Sequence, residues 1–168
     1  MKVTRYIHVN VNCTDLEASV RFYVDVLGGQ VHEAFHSGDS DLRPTMGVDA
    51  DGAPGYRAAL VCFGGARGGP YIDLVEWTGA ELPDRRPPLV AQDLGLVRVA
   101  LEVEGSLDDW VPRLEAAGSS VVGPIQEERV GPWPIRLLLC RDPDGTLVEL
   151  VEFPEGQSRE RRDLSIEV

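Results

Sequence analysis

The segment Tyr71-Ile72-Asp73-Leu74-Val75-Glu76-Trp77 recurs 76 positions later as Leu147-Val148-Glu149-Leu150-Val151-Glu152-Phe153, in register and without a gap. Each copy follows a turn, one Gly-rich and the other Asp142-Pro143-Asp144-Gly145. A second echo opens each half, where Tyr6-Ile7-His8-Val9-Asn10-Val11 is answered by Leu96-Val97-Arg98-Val99-Ala100-Leu101. A chain that repeats in this way is two copies of one supersecondary unit, and any fold assigned to it has to be built twice. The repeat also aligns polar residues, His8 with Arg98 and Asp73 with Glu149, and these four positions are the expected centre of function.

Alternation over residues 5–12 reads as a strand. Thr14 or Asp15 then caps a helix whose apolar positions Leu16, Val20, Tyr23, Val24 and Leu27 follow helical spacing, with Gly28-Gly29 ending it. Residues 36–57, rich in Gly, Asp and Pro, read as a long loop, and Ala58–Phe63 with Tyr71–Trp77 as a hairpin. In the second half, strands are expected at 96–104, 120–122, 125–130, 134–141 and 146–153, with a helix after Ser106 carrying Leu107, Trp110, Val111, Leu114 and Ala117. The predicted division is residues 1–78, a linker at 79–95, residues 96–154, and a charged tail at 155–168. His8 to Asp73 spans 65 positions and Arg98 to Glu149 only 51, the difference falling in the 36–57 region. That loop is read equally as a binding wall or as a surface excursion.

Composition narrows the function classes. The net charge of −12 argues against nucleic-acid binding, because phosphate contacts need a basic face. No apolar run approaches the ~20 residues that span a bilayer. The start, Met1-Lys2-Val3-Thr4-Arg5, has no signal-peptide character, so a cytoplasmic location is expected. Cys13, Cys62 and Cys140 match no zinc spacing and read as buried thiols.

His8-Val9-Asn10-Val11, running into Asp15-Leu16-Glu17-Ala18-Ser19-Val20-Arg21-Phe22-Tyr23 and Val26-Leu27-Gly28, resembles the vicinal oxygen chelate superfamily. So does Asp142-Pro143-Asp144-Gly145-Thr146-Leu147-Val148-Glu149-Leu150. That superfamily includes glyoxalase I, bleomycin-resistance proteins and extradiol dioxygenases, and the resemblance covers residues 5–153. It implies an α+β fold of tandem βαβββ modules forming a curved mixed sheet around a small-molecule cleft, with homodimers among its members.

In metal-dependent members the first and last strands of each module supply the ligands. Carried over, these positions are His8, Asp73, Arg98 and Glu149. An imidazole and two carboxylates suit a divalent ion, but a guanidinium has no lone pair to give. The preferred reading therefore has no cofactor, with Arg98 standing in for the metal beside Asp73 and Glu149; the alternative retains an ion on His8, Asp73 and Glu149, with Arg98 swung toward an anionic substrate. Glu76 and Glu152 are read as solvated on the opposite sheet face, Trp110 as core, and His32 as a surface residue. His36, Tyr56 and Trp133 are the candidate pocket residues, together with Phe35; Phe63 is read chiefly as core.

Three functions follow from the resemblance and this departure from it. The first is metal-free binding or sequestration of a small molecule such as a secondary metabolite. The second is a lyase, isomerase or cyclase that uses Asp73 or Glu149 as base, His8 as acid and Arg98 to stabilise an oxyanion. The third is a metal-dependent dioxygenase or glyoxalase-type enzyme.

Overall fold

The computed structural model describes residues 2–39, 43, 45, 47, 55–64, 70–79 and 89–154. Most of the 36–57 loop, residues 65–69 of the hairpin turn, residues 80–88 of the linker and the whole 155–168 tail lie outside them. Two compact units emerge: residues 1–97 with 141–146, and residues 98–140 with 147–168.

Unit 1 contains β1 (His8–Cys13), α1 (Leu16–Val20), β2 (Gln30–His36), β3 (Gly55–Cys62) and β4 (Tyr71–Thr78). Its sheet order is β1-β4-β3-β2, with β1 parallel to β4 and the remaining pairs antiparallel. Asp15 is the helix cap, its carboxylate accepting the amide of Ala18 at 2.9 Å. After Val20 the helix widens into a π-helical run over Arg21–Val26. The strand Gln30–His36 goes beyond the elements assigned from sequence. Its side chains are almost all exposed, so the apolar alternation that marks a half-buried strand is missing. Gly55–Arg57, read from sequence as loop, extends β3.

Strand alternation divides the sheet into two faces. Val11, Cys13, Ala59, Val61, Ile72 and Leu74 meet Leu16, Phe22, Tyr23 and Leu27 of the helical segment, and all are buried. Burial pushes the Cys13 thiol up to about 11, which keeps it protonated. All three cysteines are buried and unbridged. Gly29 closes this layer. A Cβ there would stand 2.7 Å from both the Tyr23 carbonyl oxygen and Val61 Cγ1, and 3.1 Å from Phe63. Gly29→Ala is expected to cost about 1–3 kcal/mol in chemical denaturation; an unchanged midpoint would show that the turn has room to relax.

Unit 2 repeats the plan with β5 (Arg98–Glu102), α2 (Leu107–Ala116), β6 (Gln126–Val130), β7 (Trp133–Arg141) and β8 (Leu147–Glu152), in the sheet order β5-β8-β7-β6. Ser106 caps α2 as the sequence suggests, and the predicted strand at 120–122 is reduced to a bridge between Val121 and Cys140. Leu107, Leu114, Leu138, Cys140, Val148 and Leu150 form its core. Trp110 is not in it: half-buried, it donates its indole N–H to the Glu104 carbonyl at 3.1 Å and carries Arg113 over its ring. Its position follows helical spacing, but the polar end of the indole is satisfied only at the rim.

Glu76 and Glu152, expected in solvent, have a structural task. Glu76 accepts the Leu16 amide at 2.9 Å and the Arg57 guanidinium at 2.5 Å, while Arg57 also grips Glu17. Glu152 accepts the Leu107 amide at 2.7 Å and Arg136 at 2.9 Å, while Arg136 also grips Asp108. Alternation puts both glutamates on the helix side, where free helix N–H groups need an acceptor. The repeat is therefore conserved in its joints: each sheet lends a carboxylate to the first turn of its helix, and an arginine locks the pair.

The turn at residues 142–146 belongs to unit 1. Asp142 takes the fully buried Tyr23 hydroxyl at 3.1 Å, and Asp144 takes both the amide and the hydroxyl of Thr14 at 2.9 and 2.7 Å. Gly145 adopts φ 91°, a conformation that a side chain would strain.

Candidate functional site

Opposite its helix, the unit 1 sheet carries a polar stripe on β1. His8, Asn10 and Asn12 alternate outward while Val9, Val11 and Cys13 turn inward. Asn10 is in register with Asp73 on the central strand β4, and Leu60 of β3 flanks Asp73 on the other side. Asn10 Nδ2 donates to Asp73 Oδ2 at 3.1 Å. Asp73 is only 6% exposed, and its Oδ1 is buried without a hydrogen-bond partner among the described residues. Burial pushes its carboxyl above the ordinary aspartate value; the nearby His8 and the Asn10 bond pull the other way. The rise comes from desolvation rather than from a facing carboxylate.

Aromatic side chains line the same face. His32 stacks on Tyr71 with ring centroids 4.9 Å apart. Tyr56 meets Trp77 at 5.8 Å and Phe35 at 6.3 Å, both edge to face, around a small core with Ala58 and Val75. Trp77 is oriented by its indole N–H, which donates to Asn12 Oδ1 at 3.1 Å. Of the predicted pocket residues, Tyr56 is buried in this cluster. His36 is 62% exposed and turns back on its own loop, accepting the Gly38 amide and facing Asp39. Trp133 lies half-buried at the start of β7 in unit 2, and Phe63 is likewise half-buried in unit 1.

Unit 2 makes a different arrangement at the equivalent positions. Ala100 stands where Asn10 would be, so Glu149 on the central strand β8 has no amide donor beside it. Arg98 supplies the contact instead, its Nε facing Glu149 Oε2 at 2.5 Å, with the Arg98 side chain 40% and the Glu149 side chain 15% exposed. Within each unit, then, the structure brings together the two residues that the repeat singled out: His8 with Asp73, and Arg98 with Glu149.

Asn10 and Asn12 were missed in the reading of the sequence. Their signal in the sequence is His-x-Asn-x-Asn, an unbroken polar face on one strand. A hollow of about 760 Å³ in unit 2 lies among Glu127, Glu128, Arg129, Pro134 and Glu152. It includes none of the predicted site residues, and its Arg136 and Glu152 are already engaged in holding α2.

The sequence profile of the Glyoxalase/Bleomycin resistance protein/Dioxygenase superfamily matches residues 5–150. The chain belongs to this superfamily. The resemblance seen in its motifs is thus shown, as is the α+β fold of βαβββ modules. A glyoxalase family protein from Bacillus cereus is similar at 23% identity with a TM-score of 0.74, covering 91% of this chain and 96% of that one. The trypanothione-dependent glyoxalase I of Leishmania major gives a TM-score of 0.57 at 19% identity over 89% and 87% of the two chains. A virulence protein from Salmonella typhimurium gives 0.53 at 21% identity over 92% and 100%. At these identities the likeness is one of fold. No curated protein matches the chain. No described helix is long and apolar enough to cross a membrane.

Proposed function

We propose that this superfamily member binds a small organic molecule on the Asp73 face of unit 1, without a metal ion. The observation that carries this reading is Asp73 Oδ1, a buried carboxylate oxygen with no hydrogen-bond partner among the described residues, on the sheet face that also carries the Tyr71–His32 and Tyr56–Trp77 ring pairs. A buried acceptor left unpaired costs free energy that an N–H or O–H of a bound molecule would recover. Aromatic walls with a few oriented polar groups are the usual make-up of such sites.

The donor set does not fit a metal. Unit 1 offers His8 and Asp73, and Asn10 already directs its donor N–H at that carboxylate. In unit 2 Arg98 brings only donors and occupies Glu149. Among the described residues, no three His, Cys, Asp or Glu side chains group to hold an ion. Protein dialysed free of chelator and titrated with Zn, Ni, Mn and Fe(II) should take up none in stoichiometric amount. Stoichiometric uptake that disappears in His8→Ala would overturn the metal-free reading and favour the glyoxalase or dioxygenase alternative.

Binding is tested by thermal shift against a panel of small heteroaromatic amines and amides. Compounds that stabilise the wild-type chain should lose their effect on Asp73→Asn. An equal shift in both proteins, or no stabilising compound, would count against the site.

One observation favours a lyase or isomerase as the second reading. Burial raises the Asp73 carboxyl above the ordinary aspartate value, which makes it a stronger base, and His8 lies near enough to influence it. Sequestration, with no turnover, is the primary proposal; an acid limb in a pH–rate profile, removed by Asp73→Asn, would establish the second.

A further inference from the structure

The arginines of this chain differ in which nitrogens they commit. Arg57 uses Nη1 on Glu17 at 2.7 Å and Nη2 on Glu76 at 2.5 Å. Arg136 uses Nη1 on Glu152 at 2.9 Å and Nη2 on Asp108 at 2.7 Å. Both therefore spend their terminal forks on holding a helix. Arg98 does the reverse. Its Nε faces Glu149 at 2.5 Å, and its two terminal nitrogens have no partner among the described residues.

The cause lies in the strands. Glu149 projects from the central strand β8, largely covered, and Ala100 beside it offers no donor. Arg98 comes from the neighbouring strand, in register with Leu147, two residues before Glu149. It reaches the carboxylate with the near end of its guanidinium. Because the group is planar and rigid, fixing Nε fixes the direction of the Nη1–Nη2 edge as well. The two terminal nitrogens carry four N–H donors, two of them parallel along that edge, on a side chain that is 40% exposed. A lysine here would face Glu149 with a compact ammonium and no rigid fork to aim at a second group.

The geometry points to Arg98 as the receptor for an oxyanion of a small ligand, a carboxylate or a phosphate, gripped by Nη1 and Nη2 while Glu149 holds the guanidinium from Nε. A parallel pair of N–H bonds to two oxygens is the arrangement for which a free guanidinium edge is shaped. Glu149 is thereby a positioning residue that sets the fork. This site is built from unit 2 alone, so it stands or falls independently of the Asp73 reading.

The test is an NMR titration of the full chain, labelled with ¹⁵N and read at the arginine Nε–Hε resonances. Sodium benzoate and inorganic phosphate are added in separate experiments, and the Arg98 signal is assigned by its loss in Arg98→Lys. At least one probe should shift that signal saturably. Benzoate alone would identify a carboxylate site, phosphate alone a phosphate site, and both a general oxyanion site. Followed at backbone amides, Arg98→Lys should weaken binding by at least about tenfold although the charge is retained, because the fork rather than the charge does the gripping. Arg98→Gln should weaken it at least as far, and the amide spectrum of each variant shows that the chain remains folded. Unchanged affinity in Arg98→Lys, or an Arg98 resonance unmoved by either probe, would overturn the assignment.

Discussion

Asp73→Asn is expected to make unit 1 more stable at neutral pH while removing its capacity to bind. The carboxylate is buried, one of its oxygens has no partner among the described residues, and its pKa lies above the ordinary value because burial penalises the charge. The native state therefore holds this proton more tightly than the unfolded chain does. Below the unfolded pKa the group is neutral in both states and contributes nothing. As pH rises from there through the folded pKa, stability is lost, and at neutral pH the ionised group is a burden. An asparagine carries no charge to desolvate and keeps an oxygen for Asn10. The expected gain is about 1 kcal/mol, or roughly 2–4 °C in the transition that melts unit 1. The gain should shrink on acidification, and this dependence separates it from a generic packing effect. A variant less stable than wild type at neutral pH would mean that the ionised Asp73 carboxylate makes contacts an asparagine cannot replace.

Loss of either helix-locking glutamate should be the most damaging surface-proximal change. Glu152→Ala leaves the Leu107 amide without its acceptor and strips Arg136 of its more covered partner. Glu76→Ala does the same to Leu16 and Arg57. A lost cap together with a lost charged hydrogen bond amounts to about 2–3 kcal/mol at each site. The glutamine variants keep a carbonyl acceptor for the helix amide and should recover part of the loss. Urea denaturation monitored by tryptophan fluorescence reads this, with Trp77 in unit 1 and Trp110 and Trp133 in unit 2. A cost under about 0.5 kcal/mol in both alanine variants would reduce the locks to ordinary surface ion pairs.

The sequence announced the duplication because strands buried on one face must repeat their apolar pattern, and β4 and β8 do so residue by residue. It also placed Asp73 opposite Glu76, since alternation alone decides that. Alternation could not say what covered each face. Glu76 and Glu152 look like solvated acids on a linear reading; only the register that sets Leu16 and Leu107 beside them shows what they hold. Strand β2 is expected from the βαβββ order, but no bounds follow from the sequence because an exposed strand lacks the buried stripe by which strands are recognised. At the site, the expectation set Arg98 beside both Asp73 and Glu149, and its contact with Glu149 lies within unit 2. Which guanidinium nitrogen would be engaged depended on Ala100, a residue with nothing to advertise.

The Asp142–Thr146 turn has a bearing on how this chain could have arisen. A half-length ancestor would have had to fold from one copy of the repeat. In the present chain, the first copy keeps its deepest tyrosine and the entry to its first helix satisfied with carboxylates encoded more than a hundred residues downstream. The backbone consequently crosses between the two units three times rather than once. The first copy of the repeat therefore does not by itself encode every contact that its unit uses.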